Sequence, residues 1–187
     1  MKLWKKQDTV LKRLKQSTLL TFWQICTRYG FKKDIDYKYN AIDGVITFVN
    51  GSEIYLLDLF HYPADPEYDR FGSLEFTGGF IDETQEVPFE AYDVISTRLR
   101  YRTREFQIRG QLLMTCNPGK NFLYREFYKP YISNTLPKHR GFIQSLVTDN
   151  PFADPGYIQK LRRSSPSYPC ENRWMMAILL SSANTVR

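Results

Sequence analysis

The feature that most constrains this chain is a short apolar run that ends in two adjacent carboxylates, Asp82 and Glu83. The run, residues 74–81, has the length of one strand, and Pro88 opens an amphipathic helical pattern soon afterwards. Because successive side chains of a strand point to opposite faces, the two acids can meet different surroundings. The pattern predicts a strand that delivers both acids to its carboxyl end, just ahead of a helix.

This layout is typical of the Walker B element of a P-loop ATPase. There the first acid holds Mg²⁺, usually through water, and the second polarises the water that attacks the γ-phosphate. An acidic pair after an apolar run also marks many solvated strand ends. The pair alone leaves both interpretations open, and the residues downstream favour the first.

Composition narrows the class of protein further. A length of 187 residues suits one domain or a piece of a larger one, and 42% hydrophobic and 16% aromatic content is ample for a packed core. The net charge of +6 and a pI near 9.2 make nucleic acid the first candidate among anionic partners. The chain has two histidines, so catalysis that depends on histidine is not favoured.

Cysteine usage and charge distribution indicate a cytosolic setting. Cys26, Cys116 and Cys170 lack metal-ligand spacing, which predicts reduced thiols and neither a disulfide framework nor a zinc site. Lysines and arginines interrupt any apolar leader, and residues 177–180 are too few to span a bilayer. The acids between Asp58 and Arg70 alternate irregularly with prolines, which favours an exposed loop over a metal site.

The first half of the chain reads as a helix followed by a hairpin. Apolar residues of one helical face recur within residues 10–29, at Leu11, Leu14, Phe22, Ile25 and Tyr29, and Gly30 is a typical C-terminal cap. Residues 45–49 and 53–57 are β-rich runs that flank Asn50-Gly51, the strongest short signal for a hairpin.

The second half alternates strands and helices. Its predicted elements are a helix over residues 88–100 with Phe89, Tyr92, Ile95 and Leu99 buried, a strand over 107–116, a helix over 121–128, a strand over 142–147 and a helix over 154–163. Such alternation predicts an α/β sheet, mainly parallel, with the hairpin as an insertion. Parallel strands deliver their carboxyl ends to one edge, so Asp82, Glu83 and the Thr115-Cys116-Asn117 segment are expected to meet there.

The order of motifs resembles the ATPase domain of the large terminase subunits of tailed phages over residues 10–163. The segments that carry the resemblance are Lys15-Gln16-Ser17, Ile46 to Ser52, Phe80-Ile81-Asp82-Glu83, Arg98-Leu99-Arg100, Met114 to Pro118, Phe127-Tyr128 and Thr148 to Pro151. The resemblance implies a three-layer P-loop NTPase fold of the ASCE type and a motor that pumps duplex DNA into a procapsid.

The resemblance also implies roles for individual residues. Asp82 would coordinate Mg²⁺, Glu83 would be the catalytic base, and Thr115 to Asn117 would couple hydrolysis to movement. The implied cofactors are ATP and Mg²⁺, and the implied partners are double-stranded DNA, a portal protein, a small terminase subunit and further copies of the chain in the bacterial host cytoplasm. Arg98, Arg100, Arg102 and Arg104 are candidates for a trans-acting finger, for DNA contacts or for plain surface residues.

Two departures from the family pattern stand beside these expectations. No Gly-x-x-x-x-Gly-Lys-Ser/Thr occurs in the 187 residues, so the phosphate-binding loop of an intact ATPase is missing, as is the nuclease domain. Residues 1–163 are expected to form a partial ATPase domain. Residues 164–187 are expected to form an atypical tail, of the kind that truncation or a frameshift produces.

Three functions are consistent with these patterns. The first is part of a DNA-packaging motor, inactive as an ATPase alone. The second is a non-catalytic nucleic-acid-binding module, supported by the basic balance and the four arginines. The third is an inactive prophage remnant.

Overall fold

The computed structural model describes residues 3–5, 18–164 and 174–181. In chain order its regular elements are β1 (Leu3–Lys5), α1 (Thr18–Arg28), β2 (Tyr37–Asn40), β3 (Val45–Phe48), β4 (Glu53–Asp58), β5 (Gly78–Ile81), α2 (Phe89–Thr97), β6 (Gln111–Cys116), α3 (Lys129–Ile132), β7 (Ile143–Leu146), α4 (Pro155–Ser164) and β8 (Trp174–Ser181). A π-helical segment, Tyr124–Tyr128, leads into α3, and 3₁₀ turns occupy Asp69–Phe71, Thr84–Glu86 and Val147–Asp149.

The strands form a single sheet in the order β2-β3-β4-β1-β5-β6-β8-β7. Its centre, β4-β1-β5-β6, is parallel. Both flanks are antiparallel: β2 and β3 extend from β4, and β8 joins β6 to β7. The α/β class, a parallel sheet at the centre and the inserted hairpin are therefore confirmed, although the sheet as a whole is mixed. The 174–181 part of the predicted atypical tail forms a strand within the sheet.

The hairpin forms where the sequence predicts it. Gly51 has a φ of 78°, a left-handed conformation that glycine adopts without steric penalty. The Gly51 amide donates to the Phe48 carbonyl at 2.9 Å and closes the turn. Strand β2 was not predicted, because its sequence Tyr-Lys-Tyr-Asn is too short to give a period of its own.

Helix α1 ends as predicted but buries a different face. Gly30 has a φ of 80°, and the Phe31 amide reaches back to the Cys26 carbonyl at 2.8 Å. Leu19 and Cys26 are buried, whereas Ile25 and Tyr29 are 50% and 75% exposed, so the predicted face was wrong at both positions. Strand β2 sets the face, since Trp23 stacks on the ring of Tyr37, the first residue of β2, at 5.2 Å. Residues 10–17, including Leu11 and Leu14, lie outside the described residues, as does Cys170.

Helix α2 packs its predicted stripe against the main core. Tyr92, Ile95 and Leu99 are buried with Leu112 and Phe127, and Phe89 lies at the rim, 36% exposed. The helix ends at Thr97, three residues earlier than predicted. Gly110 lies so close to this end that an added Cβ would stand 2.1 Å from the Leu99 carbonyl oxygen. In the described part of the chain, no helix has the length and apolarity needed to cross a membrane.

Candidate functional site

The carboxyl ends of β5 and β6 bring the predicted acid and hydroxyl together. In the parallel pairing Ile81 stands opposite Met114, so the next residues on both strands, Asp82 and Thr115, meet at the sheet edge. The Thr115 hydroxyl donates to Asp82 Oδ1 at 2.6 Å. A hydrogen bond to a carboxylate is among the stronger ones in proteins, so this contact fixes the orientation of the Asp82 side chain.

Glu83 is held in a sharp backbone turn beside that contact. Its φ of 52° and ψ of 44° are left-handed, a conformation that a non-glycine residue adopts at a penalty of about 1–2 kcal/mol. The Glu83 amide donates to Asp82 Oδ1 at 3.1 Å and to the Thr115 hydroxyl at 3.3 Å. Residues with a strained backbone cluster at functional sites. The two hydrogen bonds from the Glu83 amide stabilise its left-handed conformation.

Two residues that sequence reasoning missed complete the junction. Thr84 is fully buried and donates its hydroxyl to the Ile81 carbonyl at 3.1 Å, which anchors the turn to β5. Gln85 Oε1 accepts the Asn117 amide at 2.9 Å. The ends of β5 and β6 are thus tied twice, through Thr115 and through Gln85. A side-chain bond across 32 residues leaves no local signal in the sequence.

The predicted coupling segment has one buried and one exposed member. Asn117 is exposed, and its backbone amide makes the contact to Gln85. Cys116 is buried between Thr115 and Asn117, and burial raises the pKa of its thiol to about 12. That thiol therefore stays protonated near neutral pH, and neither nucleophilic nor metal-binding chemistry is expected of it.

The donor set at the strand ends suits a magnesium ion better than a transition metal. Residues 3–5, 18–164 and 174–181 contain no group of three or more His, Cys, Asp or Glu side chains able to hold a metal. Mg²⁺ is commonly held by one or two carboxylates, waters and substrate phosphates. Asp82 fits that requirement, with the Thr115 hydroxyl as a second oxygen beside it. The 187 residues contain no glycine-rich loop with lysine.

The four candidate arginines lie at the opposite edge of the sheet. The Thr77 hydroxyl, at the amino end of β5, donates to the Tyr101 carbonyl at 3.0 Å, and the Phe76 amide donates to the Arg98 carbonyl at 2.8 Å. At about 3.3 Å per residue, the four residues of β5 separate this edge from Asp82 by more than 10 Å. The arginines follow α2 in turns and do not form a helix end, apart from Arg98 at its cap.

The surroundings of the four arginines differ. Arg100 pairs with Glu75 at 2.7 Å, and Arg102 pairs with Glu105. The Arg98 Nε is buried without a hydrogen-bond partner among the residues that the structure describes, and Arg104 is exposed.

The acidic segment after β4 is organised by a cation. Arg70 pairs with Asp65 and lies 3.8 Å from Asp58, and it stacks over the rings of Tyr68 and Phe71. Both of those rings are buried, so this segment is packed more tightly than the exposed loop predicted for it. An arginine at its centre is a poor neighbour for a metal ion, in line with the preference for a loop over a metal site.

The parallel centre of the sheet, with an acidic pair ending one strand and a threonine bonded to it from the next, defines an α/β protein whose architecture is consistent with a P-loop-like ATPase fold. The sequence model of the family described as "Phage terminase large subunit" matches residues 4–177. The chain belongs to this phage terminase large subunit family.

A solved structure agrees with this assignment at the level of the fold. The large terminase of a thermophilic bacteriophage matches with a TM-score of 0.59 and 16% sequence identity over 87% of this chain. The match covers 36% of the thermophilic terminase, so this chain spans about a third of the length of that protein. No curated protein matches the sequence.

Proposed function

We propose that this chain forms the magnesium and water side of the ATPase of a phage DNA-packaging motor. The observation that carries the proposal is the Asp82–Thr115 contact beside Glu83, at the edge where parallel α/β sheets bind ligands. Family membership supports it, because the two acids occupy the positions that the family resemblance gives to the metal ligand and the catalytic base.

In the proposed mechanism Asp82 would hold Mg²⁺, and the Thr115 hydroxyl keeps the Asp82 carboxylate in place. When bound, the ion would neutralise charge on the β- and γ-phosphates of ATP. Glu83 orients the attacking water and accepts its proton. The Gln85–Asn117 contact joins the Glu83 turn to the loop after β6. Through this contact, loss of the γ-phosphate on hydrolysis can be transmitted to the rest of the protein.

The proposal extends to the partners of the motor. Double-stranded DNA of any sequence would be gripped through its phosphates, with Arg98, Arg100, Arg102 and Arg104 as candidate contacts or as a finger acting on a neighbouring copy. Their distance from Asp82 within one chain supports a role away from the chain's own site. A portal protein, a small terminase subunit and further copies of the chain would complete the assembly in the host cytoplasm.

Hydrolysis assays on two polypeptides test the proposal. These 187 residues alone are expected to hydrolyse ATP no faster than a Glu83→Gln control, because they contain no glycine-rich loop with a lysine to bind the phosphates. In a chain extended by a terminase segment that carries this loop, Glu83→Gln should lower hydrolysis by a factor on the order of 10²–10⁴ with nucleotide binding nearly intact.

Asp82→Ala in the same extended chain should instead weaken the binding of Mg-ATP. The proposal is wrong if both variants of the extended chain hydrolyse ATP at the parental rate. If the 187 residues alone hydrolyse ATP and Glu83→Gln abolishes that activity, other residues of this chain must bind the phosphates.

A further inference from the structure

We propose that β8 is an exchangeable strand, which leaves the sheet when a parallel strand with a phosphate-binding loop takes its place between β6 and β7. This role of β8 rests on the proposed ATPase function, and it identifies the surface to which the missing loop binds. Three observations carry it: the direction of β8, the edge at which β8 ends, and the distance of each strand position from Asp82.

Strand β8 runs against its neighbours. Strands β4, β1, β5 and β6 are mutually parallel, and β7 runs in the direction of β6 because β8 is antiparallel to both. Strand β8 is therefore a reversed strand between two strands that share one direction. The backbone groups of β6 and β7 can pair with a strand of either direction at similar strength per residue. A parallel strand therefore fits the same position.

The carboxyl end of β8 lies at the wrong edge of the sheet to serve the candidate site. Trp174 pairs with Leu146 at the end of β7, and Ser181 pairs with Gln111 at the start of β6. Strand β8 thus begins at the edge where Asp82 lies and ends at the opposite edge. A phosphate-binding loop joins the carboxyl end of a strand to a helix, so β8 cannot present such a loop to the site.

The strand that carries the loop must lie close to β5, because the loop binds the phosphates that share Mg²⁺ with Asp82. The two positions beside β5 are held by β1 and β6, and direct pairing with β6 makes the Thr115–Asp82 contact. No strand of this chain is followed by the glycine-lysine motif, since the 187 residues do not contain it.

The position of β8 is the nearest one to β5 for a strand that the 187 residues do not supply. It lies two strand spacings from β5, about 10 Å, and it borders β6, which carries Thr115 and leads to Asn117. A strand added outside β7 would lie about 19 Å from β5. On the other flank, the antiparallel strand β3 covers the outer side of β4.

The chemistry of the partner follows from the strands that it would join. Leu112 and Met114 of β6 are fully buried, so the incoming strand is expected to be apolar. Backbone hydrogen bonds provide affinity when a strand is added to a sheet, and alternate side chains provide specificity. Exchange replaces the β8 pairings with an equivalent set. Mg-ATP, held by the new loop and by Asp82, would stabilise the exchanged form.

Hydrogen exchange measures the displacement of β8 without an activity assay. The amides of β8 should be protected in the 187 residues and should exchange on the order of 10-fold faster or more in the chain extended by the loop-bearing terminase segment. The amides of β6 are the control, because either strand pairs with them and protection should persist. Equal protection of β8 in the two polypeptides would overturn its proposed role.

A reversible disulfide provides the second test. Gln111 and Ser181 are paired across β6 and β8, and the Cα atoms of an antiparallel pair lie about 4.5–5.5 Å apart, within the range of a disulfide. In the extended chain, Gln111→Cys with Ser181→Cys should bind Mg-ATP on the order of 10-fold more weakly when oxidised, and reduction should restore binding.

The control for the disulfide is Gln111→Cys alone, oxidised in the same way, and peptide mapping verifies the link. Equal binding of Mg-ATP by the oxidised and reduced double variant would contradict the exchange, because a tethered β8 would then not block the loop-bearing strand.

The outcomes also separate the role of β8 from the ATPase function. Hydrolysis by the extended chain that depends on Glu83 while β8 stays protected would support the function and make β8 a fixed strand. Displacement of β8 in an extended chain whose hydrolysis is unaffected by Glu83→Gln would support the exchange and contradict the role given to Glu83.

Discussion

At the scale of single residues, the site depends on a few hydrogen bonds that converge on Asp82. The Thr115 hydroxyl and the Glu83 amide both donate to Asp82 Oδ1, so one carboxylate oxygen organises the ends of two strands. The acid that the sequence marks as a metal ligand is therefore also a structural centre of the turn. Substitutions here affect stability and chemistry together, and the two effects need matched variants to separate them.

Removal of the Thr115 hydroxyl is expected to loosen this centre. Thr115→Val keeps the shape of the side chain but loses the donor to Asp82, and should lower the free energy of unfolding by about 1 kcal/mol, because the contact is only half-buried. Urea denaturation provides the measurement. Thr115→Ser retains the hydroxyl and should stay near the wild-type value, so an equal loss in both variants would assign the effect to packing.

Backbone strain at Glu83 should be measurable as a difference between two variants. Glycine adopts the left-handed conformation freely, whereas alanine retains the clash of its Cβ, so Glu83→Gly should be more stable than Glu83→Ala by about 1 kcal/mol. Both variants lose the same carboxylate, and the comparison therefore isolates the backbone. Equal unfolding free energies would mean that the turn relaxes without its side chain.

At the scale of elements, the site depends on how closely α2 approaches the start of β6. Helix α2 begins near the carboxyl edge, runs back along the sheet and ends where Gly110 meets the Leu99 carbonyl. Because Gly110 has no side chain, the backbone just before β6 can pass close to the Leu99 carbonyl. That close approach sets the register in which Met114 stands beside Ile81 and Thr115 reaches Asp82.

Gly110→Ala is expected to be among the more damaging single substitutions in this protein. Its Cβ would lie 2.1 Å from a backbone oxygen that cannot move without disturbing α2, which should lower the free energy of unfolding by about 3 kcal/mol. Gly119→Ala is the matched control, since its Cβ would meet only the Asn121 side chain at 3.6 Å. Thermal unfolding of both variants checks the prediction, and similar melting temperatures would contradict it.

At the scale of the whole molecule, the two groups of charged residues occupy opposite edges of one sheet. The acids Asp82 and Glu83 end β5, and the arginines border the segment that precedes it. Salt bridges to Glu75 and Glu105 already occupy Arg100 and Arg102, both of which remain about half exposed. A DNA duplex that contacts this edge would compete with those acids for the arginines.

Salt dependence tests whether the arginine edge contacts DNA. Neutralising Arg100 and Arg104 together should flatten the slope of log affinity against log salt by about one to two units, since each phosphate contact contributes about 0.9. The test variant is Arg100→Gln with Arg104→Gln. The control for net charge is Lys32→Gln with Lys33→Gln, two lysines that follow α1. The same change of slope in both pairs would point to diffuse attraction, and no change would leave the arginines a trans-acting or surface role.

Local chemistry explains which features the sequence alone predicts. Asn50-Gly51 and Gly30 mark their turns because the backbone there needs a left-handed residue, a requirement of the nearest neighbours only. Strand and helix periods likewise predict the Asp82-Glu83 strand end and the buried stripe of α2 from short windows of sequence.

The contacts that make the candidate site depended on the tertiary structure. Thr115 reaches Asp82 across 33 residues, and the Gln85–Asn117 contact spans 32, distances over which no periodic pattern carries information. The buried face of α1 and the separation of the arginines from the acids have the same origin. They follow from strand order and register, which the packing of the whole sheet decides and which neighbouring residues along the chain do not specify.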